Sequence, residues 1–182
     1  MQSNPILEAF GNARTLRNDN SSRFGKFIEI QFDARSRMSG AQVHTYLLEK
    51  TRVVSQALGE RNYHAFYQLL AGANEAQRVT WSLKEVHAYA YVNHSGCLTI
   101  SGVDDGADFA RTCHAMEVVG LSPAEVDGVY ALLSAVLALS NIVFEADESS
   151  NDDAAKVSPE AAEWLPPAPG PGGGPRPWAS GR

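Results

Sequence analysis

Apolar and polar positions alternate with a period of two between Lys26 and Phe32. Lys26, Ile28, Ile30 and Phe32 fall on one face, and Phe27, Glu29 and Gln31 on the other, which is the pattern of a β-strand. Residues 33–40 read as a reverse connection and residues 41–48 as an antiparallel partner, so the pair is a hairpin. A hairpin alone is marginally stable in water; its apolar residues call for cover, and the following segments supply helices. Residues 62–71 place Tyr63, Phe66, Tyr67 and Leu70 at helical spacing with Gly72 just past the end, an amphipathic helix with a glycine stop. A second helix is expected over residues 107–119, closed by Gly120. The clearest start is Ser122-Pro123-Ala124-Glu125, with Ser at the N-cap, Pro at N1 and Glu at N3. Val126, Val129, Tyr130, Leu133, Val136 and Leu137 follow as a core stripe, and residues 141–144 form a short strand. At the front, Asn4 and Pro5 read as N-cap and first residue of a short helix bearing Ile6, Leu7 and Phe10. That helix delivers the chain into a polar run, Arg17 to Phe27, expected to be a loop.

Composition adds bounds to this outline. The 182 residues are 44% hydrophobic and 20% charged, normal for a globular chain long enough to bury a core. No stretch of about 18 apolar residues is present, and the start lacks a basic-then-apolar leader, so a cytoplasmic address is expected. Residues 1–100 carry net charge +3 and residues 101–182 carry −9. The acidic half and the lack of a basic stripe interleaved with aromatics argue against nucleic acid as a partner. Cys97 and Cys113 read as reduced thiols. From Asp147 the composition turns acidic and then Pro/Gly-rich through Arg182. Such a segment cannot build a packed core and is expected to be disordered, although Pro166-Pro167-Ala168-Pro169 has the spacing of an SH3-type ligand. The domain boundary is therefore drawn as 1–146 and 147–182.

Candidate chemistry concentrates in Arg17-Asn18-Asp19-Asn20-Ser21-Ser22-Arg23-Phe24-Gly25-Lys26-Phe27. A Ser hydroxyl can ligate Mg²⁺ or meet a phosphate oxygen, Asn offers amide donors, and Arg carries a planar charged fork. Read without a family, the same residues also mark ordinary turns. Asp104, Asp105 and Asp108 suggest a cation site, but beside Gly102 and Gly106 they read more simply as turn and cap residues. His44, His64, His87, His94 and His114 show no pairing along the chain and read as surface or packing residues.

The order of residues in the run resembles switch I of the myosin motor (head) family, Asn-x-Asn-Ser-Ser-Arg-Phe-Gly-Lys; kinesins share Ser-Ser-Arg but continue with Ser-His. The resemblance continues through Asn4 to Ala13, Phe27 to Phe32, Tyr46 to Val53, Gly59 to Leu70 and Gly102 to Phe109, covering about residues 2 to 145. It implies an α+β fold: part of the P-loop NTPase head, with a hairpin of the central sheet and a mainly helical upper-50-kDa-like region. By resemblance, Ser22 ligates Mg²⁺, Ser21 lies by the γ-phosphate and the attacking water, and Asn18 and Asn20 belong to the ATP site. Arg23 matches the Arg that pairs with a switch II Glu to close the site for hydrolysis. Ser21 and Arg23 are thus the implied catalytic residues, ATP and Mg²⁺ the ligands, and actin filaments and the remainder of a myosin head the partners, in a cytoskeletal setting.

The sequence contains no Gly-rich phosphate loop ending in Gly-Lys-Thr and no Asp-x-x-Gly-Phe-Glu switch II motif. The expectation is accordingly a fragment of an actin-based, ATP-dependent motor that contributes switch I and is inactive alone. The alternative is a non-catalytic interaction protein or truncated gene product without motor activity. An exposed hairpin edge that invites pairing with other chains is a further expectation.

Overall fold

The computed structural model describes residues 3–146 and 154–164. The chain divides into two units, Met1–Ser140 and Asn141–Arg182. In the first, α1 (Asn4–Gly11) leads into β1 (Asn12–Thr15), β2 (Asn18–Ser22), β3 (Gly25–Phe32) and β4 (Met38–Tyr46). Helices α2 (His64–Gly72), α3 (Glu75–Thr80), α4 (Ala90–Asn93), α5 (Asp105–Val118) and α6 (Pro123–Leu139) follow. This is mixed helix and strand, with the strands as two separate antiparallel ribbons, β1–β2 and β3–β4.

The N-terminal helix starts one residue before the sequence pattern suggests: Ser3 occupies the N-cap and Asn4 is already helical. Pro5 tolerates this because its missing N–H falls in the first turn, where no intrahelical acceptor exists. At the other end, the helix closes on Gly11, where a Cβ would lie 2.5 Å from the Phe24 ring. Only glycine lets the chain turn into β1 beneath that ring.

The core is helical. α2 packs against α5, and the contact is close enough that a Cβ on Gly72 would sit 2.4 Å from that of Phe109. Phe66, Leu69, Leu70, Phe109, Met116, Tyr130 and Leu137 are buried, and Tyr130 stacks between Phe109 and Trp81 at ring-centroid distances of 4.9 and 5.6 Å. The α6 stripe faces this core, with Tyr130 and Leu137 buried and Val126, Val129, Leu133 and Val136 half-buried. Its capping box forms as expected: Glu125 N donates to Ser122 Oγ and Ser122 N to Glu125 Oε2. A second box, Asn74 with Gln77, starts α3.

Helix α2 begins at His64, two residues later than expected, because Asn62 is used differently. Its Oδ1 accepts from Tyr63 N at 2.8 Å, and its Nδ2 donates to Val53 O and Tyr91 O at 2.9 and 2.8 Å. A buried amide with three partners, two of them distant carbonyls, holds the preceding loop instead of joining the helix.

The β3–β4 hairpin forms with Ile28 opposite Val43 and Ile30 opposite Ala41, and its tight turn is shorter than residues 33–40. Asp33 Oδ1 accepts from the backbone N–H of Arg35 and Arg37 at 2.8 and 2.9 Å, which closes the turn. The helices do not cover this ribbon: Phe32 is 61% and Met38 67% exposed.

In the second unit, β5 (Phe144–Ala146) pairs antiparallel with β6 (Ala155–Val157), and a 3₁₀ turn spans Pro159–Trp164. Regular structure thus occurs at 155–164, inside the segment expected to lack it. Its short Ala-Lys-Val strand is too brief for composition to reveal and is specified by pairing. The remainder of that segment, including the Pro-rich spacing at 166–169, lies outside the described residues.

Candidate functional site

The polar run is a strand, not the loop expected from its composition. β1 and β2 pair with Asn12 opposite Ser22 and Ala13 opposite Ser21, and Arg23 N extends the ladder to Gly11 O at 2.8 Å. Asn and Ser have low strand propensity, but pairing to the buried Asn12 and Ala13 overrides it. The turn between the strands is tied by Thr15, whose hydroxyl donates to Asn18 O and accepts from Asn18 N at 3.1 and 3.2 Å.

The strand pleat separates the expected site residues. Asn18, Asn20 and Ser22 share one face, and Ser21 shares the other with Asp19. Asn20 is exposed but fully engaged by protein partners: its Oδ1 accepts from Asn12 Nδ2 at 2.9 Å and lies 3.1 Å from His64 Nε2, while its Nδ2 donates to Glu8 Oε2 at 3.2 Å. Asn18 Oδ1 accepts from Asn20 N at 2.9 Å. The Ser22 hydroxyl is exposed and has no hydrogen-bond partner among the described residues. Ser21 Oγ accepts from Arg23 Nη1 at a long 3.3 Å.

Arg23 opens a chain of ion pairs that sequence reading does not reveal. Its Nε donates to Glu49 Oε2 at 2.5 Å, and Arg52 Nε donates to the same oxygen at 2.9 Å. Arg52 also reaches Glu60 Oε2 at 2.9 Å and Arg61 O at 3.2 Å. Partial burial pushes the Glu49 carboxyl up, but the hydrogen bonds and charges of Arg52 and Arg23 outweigh it and hold the group below the usual carboxylate range. Glu49 is 26 residues from Arg23, and the only sequence hint is the i,i+3 spacing of Glu49 and Arg52.

On the Asn20 side, a cleft of about 440 Å³ is lined by Glu8, Asp19, Asn20, His64, Asp108 and Arg111, among others. His64 is a packing residue there, and burial, aided by the Arg61 charge, lowers its pKa to about 4, so its imidazole is neutral at pH 7. Asp104 is a cap, accepting from Ala107 N at 3.0 Å; Asp105 binds Arg61; Asp108 pairs with Arg111. Among the described residues, no group of three or more His, Cys, Asp or Glu side chains is arranged to hold a metal. The Ser22 hydroxyl is a single oxygen donor without a partner among the described residues, of the ligand type that a hard cation such as Mg²⁺ takes.

Residues 1–165 match the model of the myosin head (motor domain). The chain belongs to the myosin head family. It is similar to the myosin-J heavy chain of Dictyostelium discoideum, 53% identical over 157 residues that cover 86% of this chain and 7% of that one. It is also 50% identical to myosin-1 of Arabidopsis thaliana over 91% of this chain and 14% of that one. With myosin-51 of Schizosaccharomyces pombe it shares 52% identity over 78% of this chain and 10% of that protein. The chain thus spans only a small part of the length of these relatives. Among the described residues, no helix is long and apolar enough to cross a membrane.

Proposed function

We propose that residues 18–23 are the switch I element of the nucleotide site of an actin-based, ATP-dependent myosin motor. The observation that carries this reading is the succession of a free, exposed Ser22 hydroxyl at the end of β2 and, directly after it, an Arg23 whose backbone and Nε are fixed. In this reading Ser22 supplies a ligand to Mg²⁺, and the metal offsets charge on the phosphate oxygens. Ser21, on the opposite face with Arg23, holds the attacking water; Asn18 and Asn20 contact the nucleotide, Asn20 from a position fixed by Asn12 and Glu8. Arg23 closes the site by pairing with a carboxylate from another segment. Phosphoryl transfer depends mainly on such positioning and charge stabilisation. Actin filaments are the proposed partner of the whole motor, which places it on the cytoskeleton.

The test is a chimeric head in which residues 3–146 replace the equivalent segment of a myosin relative. Ser22→Ala is expected to weaken Mg²⁺-ATP binding by about tenfold or more, and Arg23→Ala to slow hydrolysis by about a hundredfold, the scale of losing one charge-stabilising contact. Chimeras carrying either substitution that bind and hydrolyse ATP like the parent refute the proposal.

A further inference from the structure

Both backbone groups of Arg23 are fixed, the N–H on Gly11 O at 2.8 Å and the carbonyl by Glu49 N at 2.9 Å. Its side chain is held at one end only. Nε donates to Glu49 at 2.5 Å, whereas at the far end Nη1 makes a single long contact to Ser21, and Nη2 has no partner among the described residues. The side chain is 30% exposed. A guanidinium has five N–H donors, so most of its hydrogen-bonding capacity is left at the terminal edge.

Glu49 is anchored by more contacts than the arginine it grips, at a similar side-chain exposure of 33%. Its carbonyl accepts from the Tyr63 hydroxyl at 2.7 Å, and Tyr63 is buried. Its carboxylate is shared with Arg52, whose side chain is 6% exposed and is in turn pinned by Glu60. Arg52 and Glu60 therefore form a rigid base, Glu49 an arm on that base, and Arg23 the group it aims.

We propose that Glu49 is a positioning residue for Arg23: it clamps Nε so that the Nη1–Nη2 edge is presented, already oriented, to a second carboxylate. The edge matches a carboxylate bidentately, and the incoming group displaces only the 3.3 Å contact to Ser21. Docking thus releases the Ser21 hydroxyl at the moment the site closes. A competing role, in which Glu49 withholds Arg23, requires the shared carboxylate to block the terminal edge, and it occupies Nε instead. The inference rests on the proposed role of Arg23.

The chimeric head provides the test, with single-turnover hydrolysis and Mg²⁺-ATP affinity measured on Glu49→Gln, Glu49→Ala, Arg23→Ala and the double variant Arg23→Ala/Glu49→Ala. Expected is a loss of about tenfold or more in the hydrolysis rate for Glu49→Ala, in the range that misplacing a catalytic group costs, with affinity changed by less than about twofold and a smaller loss for the isosteric Glu49→Gln. In the Arg23→Ala background, removing Glu49 has no further effect. If Glu49 has only a structural role, affinity and hydrolysis fall together and the losses add, which overturns the inference. Faster hydrolysis by Glu49→Ala overturns it in favour of a withholding latch. Hydrolysis that depends on Arg23 but ignores both Glu49 variants overturns this inference alone; hydrolysis indifferent to Arg23→Ala overturns the site assignment as well.

Discussion

Asp105→Ala tests how the helical core tolerates its one fully buried guanidinium among the described residues. The Arg61 side chain has no solvent exposure, and its Nη2 donates to both carboxylate oxygens of Asp105 at 2.9 Å. The guanidinium carbon lies 3.6 Å from the Tyr67 ring centroid. Nε and Nη1 are buried without a hydrogen-bond partner. The positive charge is therefore balanced by one carboxylate and one aromatic face. Removing the carboxylate leaves a buried charge uncompensated, a loss of about 3–5 kcal/mol, set against a total stability of about 5–15 kcal/mol for a domain. Asp105 also sits in the first turn of α5, but the helix dipole accounts for only about 0.3–1 kcal/mol of such a loss.

Arg61→Met in the same background separates the charge from the packing. It removes the stranded cation together with two unsatisfied donors, each of which costs about 1–3 kcal/mol when buried, and it fills part of the space. The double variant is expected to recover at least about 2 kcal/mol relative to Asp105→Ala, because buried ion pairs replaced by apolar groups are often neutral. Urea titrations followed by far-ultraviolet circular dichroism and tryptophan fluorescence give both values, provided the slope is unchanged. A single-variant cost below about 1 kcal/mol, or a double variant less stable than Asp105→Ala, refutes the reasoning.

What was legible in the chain was what is local. The Ser122–Glu125 box, the Gly120 stop after α5 and the Lys26–Phe32 alternation depend on neighbours within a few residues, and each marks an element that forms; Gly72, expected just past α2, is instead its last residue, where it lets Phe109 pack closely. The polar run misled because Asn and Ser favour turns on their own, whereas β2 is specified by a partner strand whose Asn12 and Ala13 are buried beneath other segments. The alternation in β3 announced a strand but not its cover, because a period of two says which residues share a face and nothing about what lies opposite. At the candidate site, the order of residues proposes Asn18, Asn20, Ser21, Ser22 and Arg23 by resemblance alone. The residues that hold them, Glu49 and His64, come from 26 and 44 positions away. A charged pair at that separation leaves no periodic trace, so neither the Arg23–Glu49–Arg52–Glu60 chain nor the Arg61–Asp105 pair could be read in advance.

Two further outcomes follow from the exposed ribbon and the half-buried imidazole. Phe32→Glu with Met38→Lys places charges on the paired, exposed apolar residues at the turn end of the ribbon, and light scattering is expected to show less self-association than the parent; equal association excludes this apolar patch as its cause. His64 has a folded pKa of about 4 against an unfolded value of about 6.5, so between these values the unfolded chain binds more protons and stability rises with pH. Its contribution is complete above about pH 6.5, is lost as the pH falls, and levels off below about 4, with a ceiling of about 3 kcal/mol. The cleft also presents Glu8, Asp19, Asp108 and Arg111, and carboxylates held low, such as Glu49, destabilise in the same direction as they protonate. The decisive measurement is therefore the difference between the parent and His64→Gln in urea at pH 7.5 and pH 5. If the two lose equal stability between those pH values, the imidazole is not held neutral by burial, and its contact with Asn20 is a surface one.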